Sequence, residues 1–183
     1  MKFWLTLFVS CSILFFQGCS SDKKRKDEDK NMSSPQTLKR EKITLQDVYG
    51  KSIQANPTEK GFTFSGFENK VVLVNFFTTW CPPCKAEIPH LINLQEKYKE
   101  HFVIISVLLE ENKSNEEIQS FIKFNAINYI ITNGPENFEF AKNVGGVKNI
   151  PFMFLYDRNG NYSTHYVGAI PEEMIDADIK KVL

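Results

Sequence analysis

The sequence predicts an α/β domain on a central mixed β-sheet, with a β-hairpin extension at its N-terminal end. Three observations carry this. Residues 71–77 (VVLVNFF) and 102–109 (FVIISVLL) are nearly continuous apolar runs, as expected of strands buried on both faces. Segments of helical periodicity alternate with strands. The chain then closes with a β-hairpin and a helix rather than with another parallel unit.

Taken in order, residues 43–54 (ITLQDVYGKSIQ) read as a hairpin turning at Tyr49-Gly50-Lys51, and residues 62–64 as a short strand. After the first buried strand, residues 84–99 are helical, with Cys84, Ile88, Leu91, Ile92 and Tyr98 on one stripe. The second buried strand follows. Residues 114–124 open with a Ser-x-x-Glu capping box and continue as a helix. Residues 129–132 are a short strand, and residues 136–144 a helix stopped by Gly145-Gly146. A strand over 151–156, a turn at 157–160 and a partner strand over 162–167 make the closing hairpin; residues 171–182 form the last helix, with Pro171 at its start.

The 183 residues carry 22 Lys+Arg and 22 Asp+Glu, a net charge of zero, which argues against a basic nucleic-acid binder. The zero conceals three unequal segments. Residues 1–19 start with Lys2, continue with 14 mostly apolar residues and end at Gly18-Cys19. That run falls short of the ~20 residues that span a bilayer and has signal-peptide length. Its end resembles a bacterial lipobox, with Cys19 as the lipid-bearing residue; the alternative is an uncleaved anchor. Either places the remainder outside the cytoplasm, held at a membrane. Residues 20–42 contain no aromatic residue and carry a charge of +3, with KKRK at 23–26. They read as a disordered charged tether with a reach of roughly 25 Å. Residues 43–183 form the domain, with a charge of −4 and 19 of the 24 aromatic residues.

Of four cysteines, Cys11 and Cys19 belong to the leader, leaving only Cys81 and Cys84. A C-x-x-C bridge closes too short a loop to staple a domain, so redox chemistry explains it better than architecture. The pair sits where a strand gives way to a helix. Helix N-termini offer free N–H groups and partial positive charge, and both stabilise a thiolate. Cys81 is therefore read as the exposed nucleophile and Cys84 as the more buried resolving thiol. Pro82 and Pro83 stiffen the loop between them. Trp80 is read as an apolar platform and shield beside the nucleophile. Glu87, three residues past Cys84, is a candidate proton acceptor, or an ordinary solvated helix acid. Pro89, inside the helix, should kink it and has a structural role. Ile150-Pro151, at the start of a strand, is a candidate wall of the substrate groove. Zinc would need a second ligand pair, which is missing, and haem attachment needs His where Lys85 stands.

WCPPC (80–84), the proline five residues after Cys84, Ile150-Pro151 and Val167-Gly168-Ala169 resemble the thioredoxin superfamily. ITLQDVYGKSI, KVVLVNFFTTWCPPCKAEIPHL and FMFLYDRNGN are more similar to its membrane-tethered TlpA/ResA-like branch. The resemblance implies a thioredoxin-like fold over residues 43–183, with an inserted helix at 114–124 between two sheet strands and a cis Pro151 packed against the disulfide. It assigns the family's helix acid to Glu87. Thioredoxin's own buried acid is replaced by Asn75. Phe152 stands where the family often has Thr, and Asn149 where it often has Gly, so partner choice transfers less well than chemistry.

The expected function is extracytoplasmic thiol–disulfide exchange, as a reductant of disulfides in exported proteins. The resemblance implies apocytochrome c as a substrate. The chain has no G-x-G-x-x-G, so the redox-active Cys81–Cys84 pair works without a bound cofactor or metal, and electrons come from a membrane thiol-transfer protein. Two alternatives stay open: a disulfide donor or isomerase using the same pair, and a copper-binding module in which Met153 would assist the cysteines.

Overall fold

The computed structural model of the protein describes residues 40–183. The expected export signal, Cys19 and most of the expected charged tether lie outside the described residues. In chain order the elements are β1 (Ile43–Gln46), β2 (Ser52–Pro57), β3 (Phe62–Phe64), β4 (Val71–Phe77), α1 (Pro82–Tyr98), β5 (Phe102–Leu108), α2 (Asn115–Phe124), β6 (Ile130–Thr132), α3 (Glu136–Asn143), β7 (Phe152–Tyr156), β8 (Tyr162–Val167) and α4 (Glu172–Val182).

The central sheet has the order β6-β5-β4-β7-β8. β4, β5 and β6 are parallel; β7 runs antiparallel to β4, and β8 antiparallel to β7. All residues of β4 and β5 are buried, as their unbroken apolar runs require. Val72, Val74 and Phe76 face one layer, built from β1, β2, β3 and α3. Val71 and Leu73 face the other, built from α1 and α4. In the first layer Phe140 of α3 meets Phe62, Phe64 and Phe76 at centroid distances of 5.3, 6.1 and 5.8 Å. The first two are edge-to-face, an arrangement that contributes beyond simple burial, and the third is tilted.

The capping box on α2 forms as expected: Ser114 Oγ accepts the Glu117 N–H, and Glu117 Oε2 accepts the Ser114 N–H. The stripe on α1 differs in detail. Its buried residues are Cys84, Glu87, Ile88, Leu91 and Leu94, while Ile92 and Tyr98 are half-buried. Tyr98 is drawn to the rim because its hydroxyl donates to Asp176 of α4 at 2.7 Å.

The N-terminal hairpin is part of a larger unit. β3 pairs with β2, giving a three-stranded antiparallel sheet that reaches both sides of the central one. At the β6 side the Val48 N–H donates to Ile131 O and the Asn133 N–H to Gln46 O. At the β7–β8 turn the Phe62 N–H donates to Gly160 O and the Tyr162 N–H to Lys60 O. The chain is fastened before β1 as well. Arg40 donates to the carbonyls of Thr58 and Glu59 at 2.7 and 2.9 Å and lies over the Phe62 ring.

The β3 contact explains Gly61. A Cβ there would collide with the Gly160 carbonyl and lie 2.8 Å from the Tyr162 nitrogen. Both are backbone atoms and cannot swing aside. Gly61→Ala is expected to lower stability by about 1–3 kcal/mol, the cost of overpacking. The contact lies at the end of β7 opposite Pro151, so the redox equilibrium of the cysteine pair should stay at its wild-type value. Urea unfolding and glutathione titration of the same variant check both halves.

Candidate active site

β4 ends at Phe77, and the chain turns through Thr78, Thr79 and Trp80 before α1 begins. Cys81 is the N-cap of α1 in extended conformation, and its Sγ accepts the Cys84 N–H at 3.3 Å. Pro82 and Pro83 occupy the first two helical positions, where a missing N–H costs nothing. Helix geometry therefore puts Cys84 one turn beyond Cys81, and the two are joined in a disulfide with Cα atoms 5.3 Å apart. Facing them is Ile150-Pro151, whose peptide bond is cis. Ile150 O lies 4.0 Å from Cys81 Sγ. The Pro151 carbonyl is held by the Gly168 N–H at 2.9 Å.

One expectation is corrected. Cys81 does not stand exposed above a deeper Cys84; their exposures are 3% and 5%. Both sulfur-bearing residues belong to an apolar cluster with Phe77, Ile88, Leu108, Ile118, Ile122 and Ile131, and Ile150 packs against it. Trp80, at 65% exposure, stands out from the surface, flanked by exposed Pro82 and Pro83.

Glu87 is no solvated surface acid. It is 2% exposed, on the buried face of α1 that also carries Cys84. Its Oε1 accepts the Ile170 N–H at 3.1 Å, while Oε2 has no partner. Burial pushes its pKa up to about 7, although the Ile170 N–H and the nearby His90 both pull it down. Burial, seconded by Glu87, also raises the Tyr129 phenol above its ordinary range. Asn75 is buried in β4, where its Nδ2 donates to Ser106 Oγ at 3.1 Å.

Met153 points away from this chemistry. It is fully buried among Leu73, Leu91, Leu155 and Ile175, under α1 and α4, so it cannot assist the cysteines in holding copper. Among the described residues no group of three or more His, Cys, Asp or Glu side chains is arranged to hold a metal. Phe152 stacks on His165, with centroids 5.5 Å apart, and Asn149 is exposed.

Sequence reasoning missed Glu110. Its carboxylate accepts the Thr79 N–H at 2.8 Å and the Thr79 hydroxyl at 2.8 and 3.1 Å. The available signal was position: an acid just past the C-terminal end of the parallel strand beside β4, where α/β sheets gather their functional groups.

A protein-family model described as Redoxin matches residues 42–183. The thiol-disulfide oxidoreductase ResA of Bacillus anthracis is 25% identical over 180 residues, covering 97% of this chain and 91% of the relative. The thioredoxin-like protein YneN of Bacillus subtilis is 26% identical over 150 residues, covering 79% and 75%. Among solved structures, a thioredoxin-family thiol:disulfide interchange protein of Chlorobium tepidum is 28% identical with a TM-score of 0.61, covering 77% of this chain and 92% of that one. StoA of Bacillus subtilis shares the fold, with a TM-score of 0.59 at 19% identity over 76% of this chain and 96% of that one. With a C-x-x-C disulfide capping a helix opposite a cis-proline, the chain belongs to the Redoxin family as a TlpA/ResA-like thiol–disulfide oxidoreductase of the thioredoxin superfamily.

Proposed function

We propose that the protein is an extracytoplasmic, lipid-anchored reductant of disulfides in exported proteins, with apocytochrome c among its substrates. The observation that carries the reading is the juxtaposition of the Cys81–Cys84 pair with a buried acid on the same helix, Glu87. The export-type leader ending at Cys19 and the charged segment that follows supply the location and the leash. The ResA relatives support exchange chemistry.

In the reduced protein the Cys81 thiolate, stabilised by the N-terminus of α1 and the Cys84 N–H, attacks one sulfur of a substrate disulfide. A mixed disulfide forms and one substrate thiolate leaves. Glu87 then takes the Cys84 thiol proton, and the Cys84 sulfur attacks Cys81. The second substrate thiolate leaves, the substrate has gained two electrons, and the Cys81–Cys84 disulfide has lost them. A membrane thiol-transfer protein returns the pair to the dithiol. Trp80, Pro82, Pro83, Ile150 and Pro151 form the groove in which the substrate chain lies.

Cys84→Ser should trap substrates as mixed disulfides on Cys81, released by dithiothreitol and identified by mass spectrometry. The trapped set should include proteins with haem-attaching C-x-x-C-H segments. A set without any such protein would remove the cytochrome role and leave the exchange chemistry standing.

Glu87 gives a second test. A carboxyl whose folded pKa lies near 7 is protonated below it and becomes a proton acceptor above it. The resolution rate should rise through about pH 7 in the wild type and lose that rise in Glu87→Gln. The stability sign follows from the same shift. The folded state binds the extra proton between the unfolded pKa and about 7, so wild-type stability falls as pH rises across that window. Glu87→Gln removes this cost and should be the more stable protein at pH 8, by on the order of 2 kcal/mol, with the gap closing near pH 4. Parallel stopped-flow and urea-unfolding series at both pH values check it; superposable profiles would return Glu87 to a structural role.

A further inference from the structure

Glu110 makes the densest set of side-chain contacts to the turn that delivers the nucleophile, and the exchange steps described above leave it without a task. Its side chain is 13% exposed. Both carboxylate oxygens are spent on Thr79, two residues before Cys81: Oε2 accepts the Thr79 N–H and both oxygens accept its hydroxyl. The Thr79 N–H lies past the end of β4, where the ladder to β5 has ended, and the carboxylate takes the place of the next strand partner.

The base from which Glu110 acts is itself held. Lys113 Nζ stands 4.0 Å from Glu110 Oε1 and 3.2 Å from Glu117 Oε1, linking the acid to the capping box of α2. Asn133 Nδ2 donates to the Lys113 carbonyl and to Asn115 Oδ1, both at 2.9 Å, fastening this loop to the end of β6. The inserted helix is thereby tied, through Lys113 and Glu110, to the turn carrying Trp80 and Cys81.

We infer that Glu110 is a positioning residue for the redox pair, holding Thr79 so that Cys81 stays at the mouth of α1 within reach of Cys84. It acts through Thr79. The inference rests on the exchange reading of the Cys81–Cys84 pair. Ring closure explains the consequence. A fixed turn keeps the Cys84 sulfur at high effective concentration against a mixed disulfide on Cys81, which favours the intramolecular disulfide. Freeing Thr79 adds conformations that closure must give up, so the disulfide becomes easier to reduce.

The test is the equilibrium of the full-length protein in detergent with glutathione, where one glutathione disulfide oxidises the dithiol and yields two glutathione thiols. Glu110→Ala should make the Cys81–Cys84 disulfide at least fivefold easier to reduce, an upward shift of about 20 mV. Glu110→Gln keeps a side-chain carbonyl oxygen for the Thr79 N–H and should remain within twofold of wild type. Trp80 fluorescence anisotropy, with Trp4 replaced by Phe in all variants, should fall in Glu110→Ala and not in Glu110→Gln. Equal shifts in the two variants would overturn positioning in favour of charge alone. An unmoved equilibrium in both, even with a lowered unfolding midpoint, would overturn it in favour of a merely structural contact. A parent protein that fails to equilibrate with glutathione would instead refute the exchange chemistry on which the inference rests.

Discussion

Every residue of β4 is buried, and both of its edges are hydrogen-bonded, to β5 in parallel and to β7 in antiparallel sense. A strand enclosed on four sides can release its chain only at its end, so the turn after Phe77 has a fixed point of departure. The antiparallel partner does the rest. Because Phe76 pairs with Phe152, the start of β7 lies beside the end of β4, and Ile150-Pro151 is brought to Cys81 across a sequence gap of roughly seventy residues. An all-parallel sheet would place the start of β7 at the far end.

The same enclosure gives the site its chemical character. The disulfide packs in an apolar cluster and Glu87 is buried on the same helix; the Cys84 N–H reaches the Cys81 sulfur, and the Ile170 N–H and the nearby His90 act on Glu87. Low polarity keeps Glu87 protonated to about pH 7. The helix N-terminus works in the opposite sense on Cys81, favouring its charged form. In the proposed exchange, a carboxyl raised toward the range of a free thiol is suited to take the Cys84 proton during resolution. Trp80, by contrast, is exposed and free to meet an incoming chain.

Much of this was legible in the residues. β4 and β5 are unbroken apolar runs, and the Ser114–Glu117 box marks the start of α2; α1 starts at Pro82, two residues before the expected Cys84, because the two prolines take its first helical positions instead of lying in a loop. What was illegible depends on long-range pairing. Nothing local in FTF at 62–64 says that it joins the N-terminal hairpin and then meets the β7–β8 turn through Gly61 and Gly160. The burial of Cys81 likewise comes from Ile150 and from α2, both distant in sequence. Glu87 could be flagged by its spacing from Cys84, but only the Ile170 backbone closing over it separates a buried acid from a solvated one. Glu110 carries no spacing signal at all; its role exists only because β5 runs beside β4.

The claim that binds these features together is that the Cys81–Cys84 pair delivers electrons to substrate disulfides. Its reduction potential, measured on the full-length protein in detergent against glutathione and dithiothreitol buffers, tests this most directly. The account predicts a value nearer that of thioredoxin, ~ −270 mV. A value near that of strong periplasmic disulfide donors, ~ −120 mV, would contradict it and make the protein an oxidant built from the same parts.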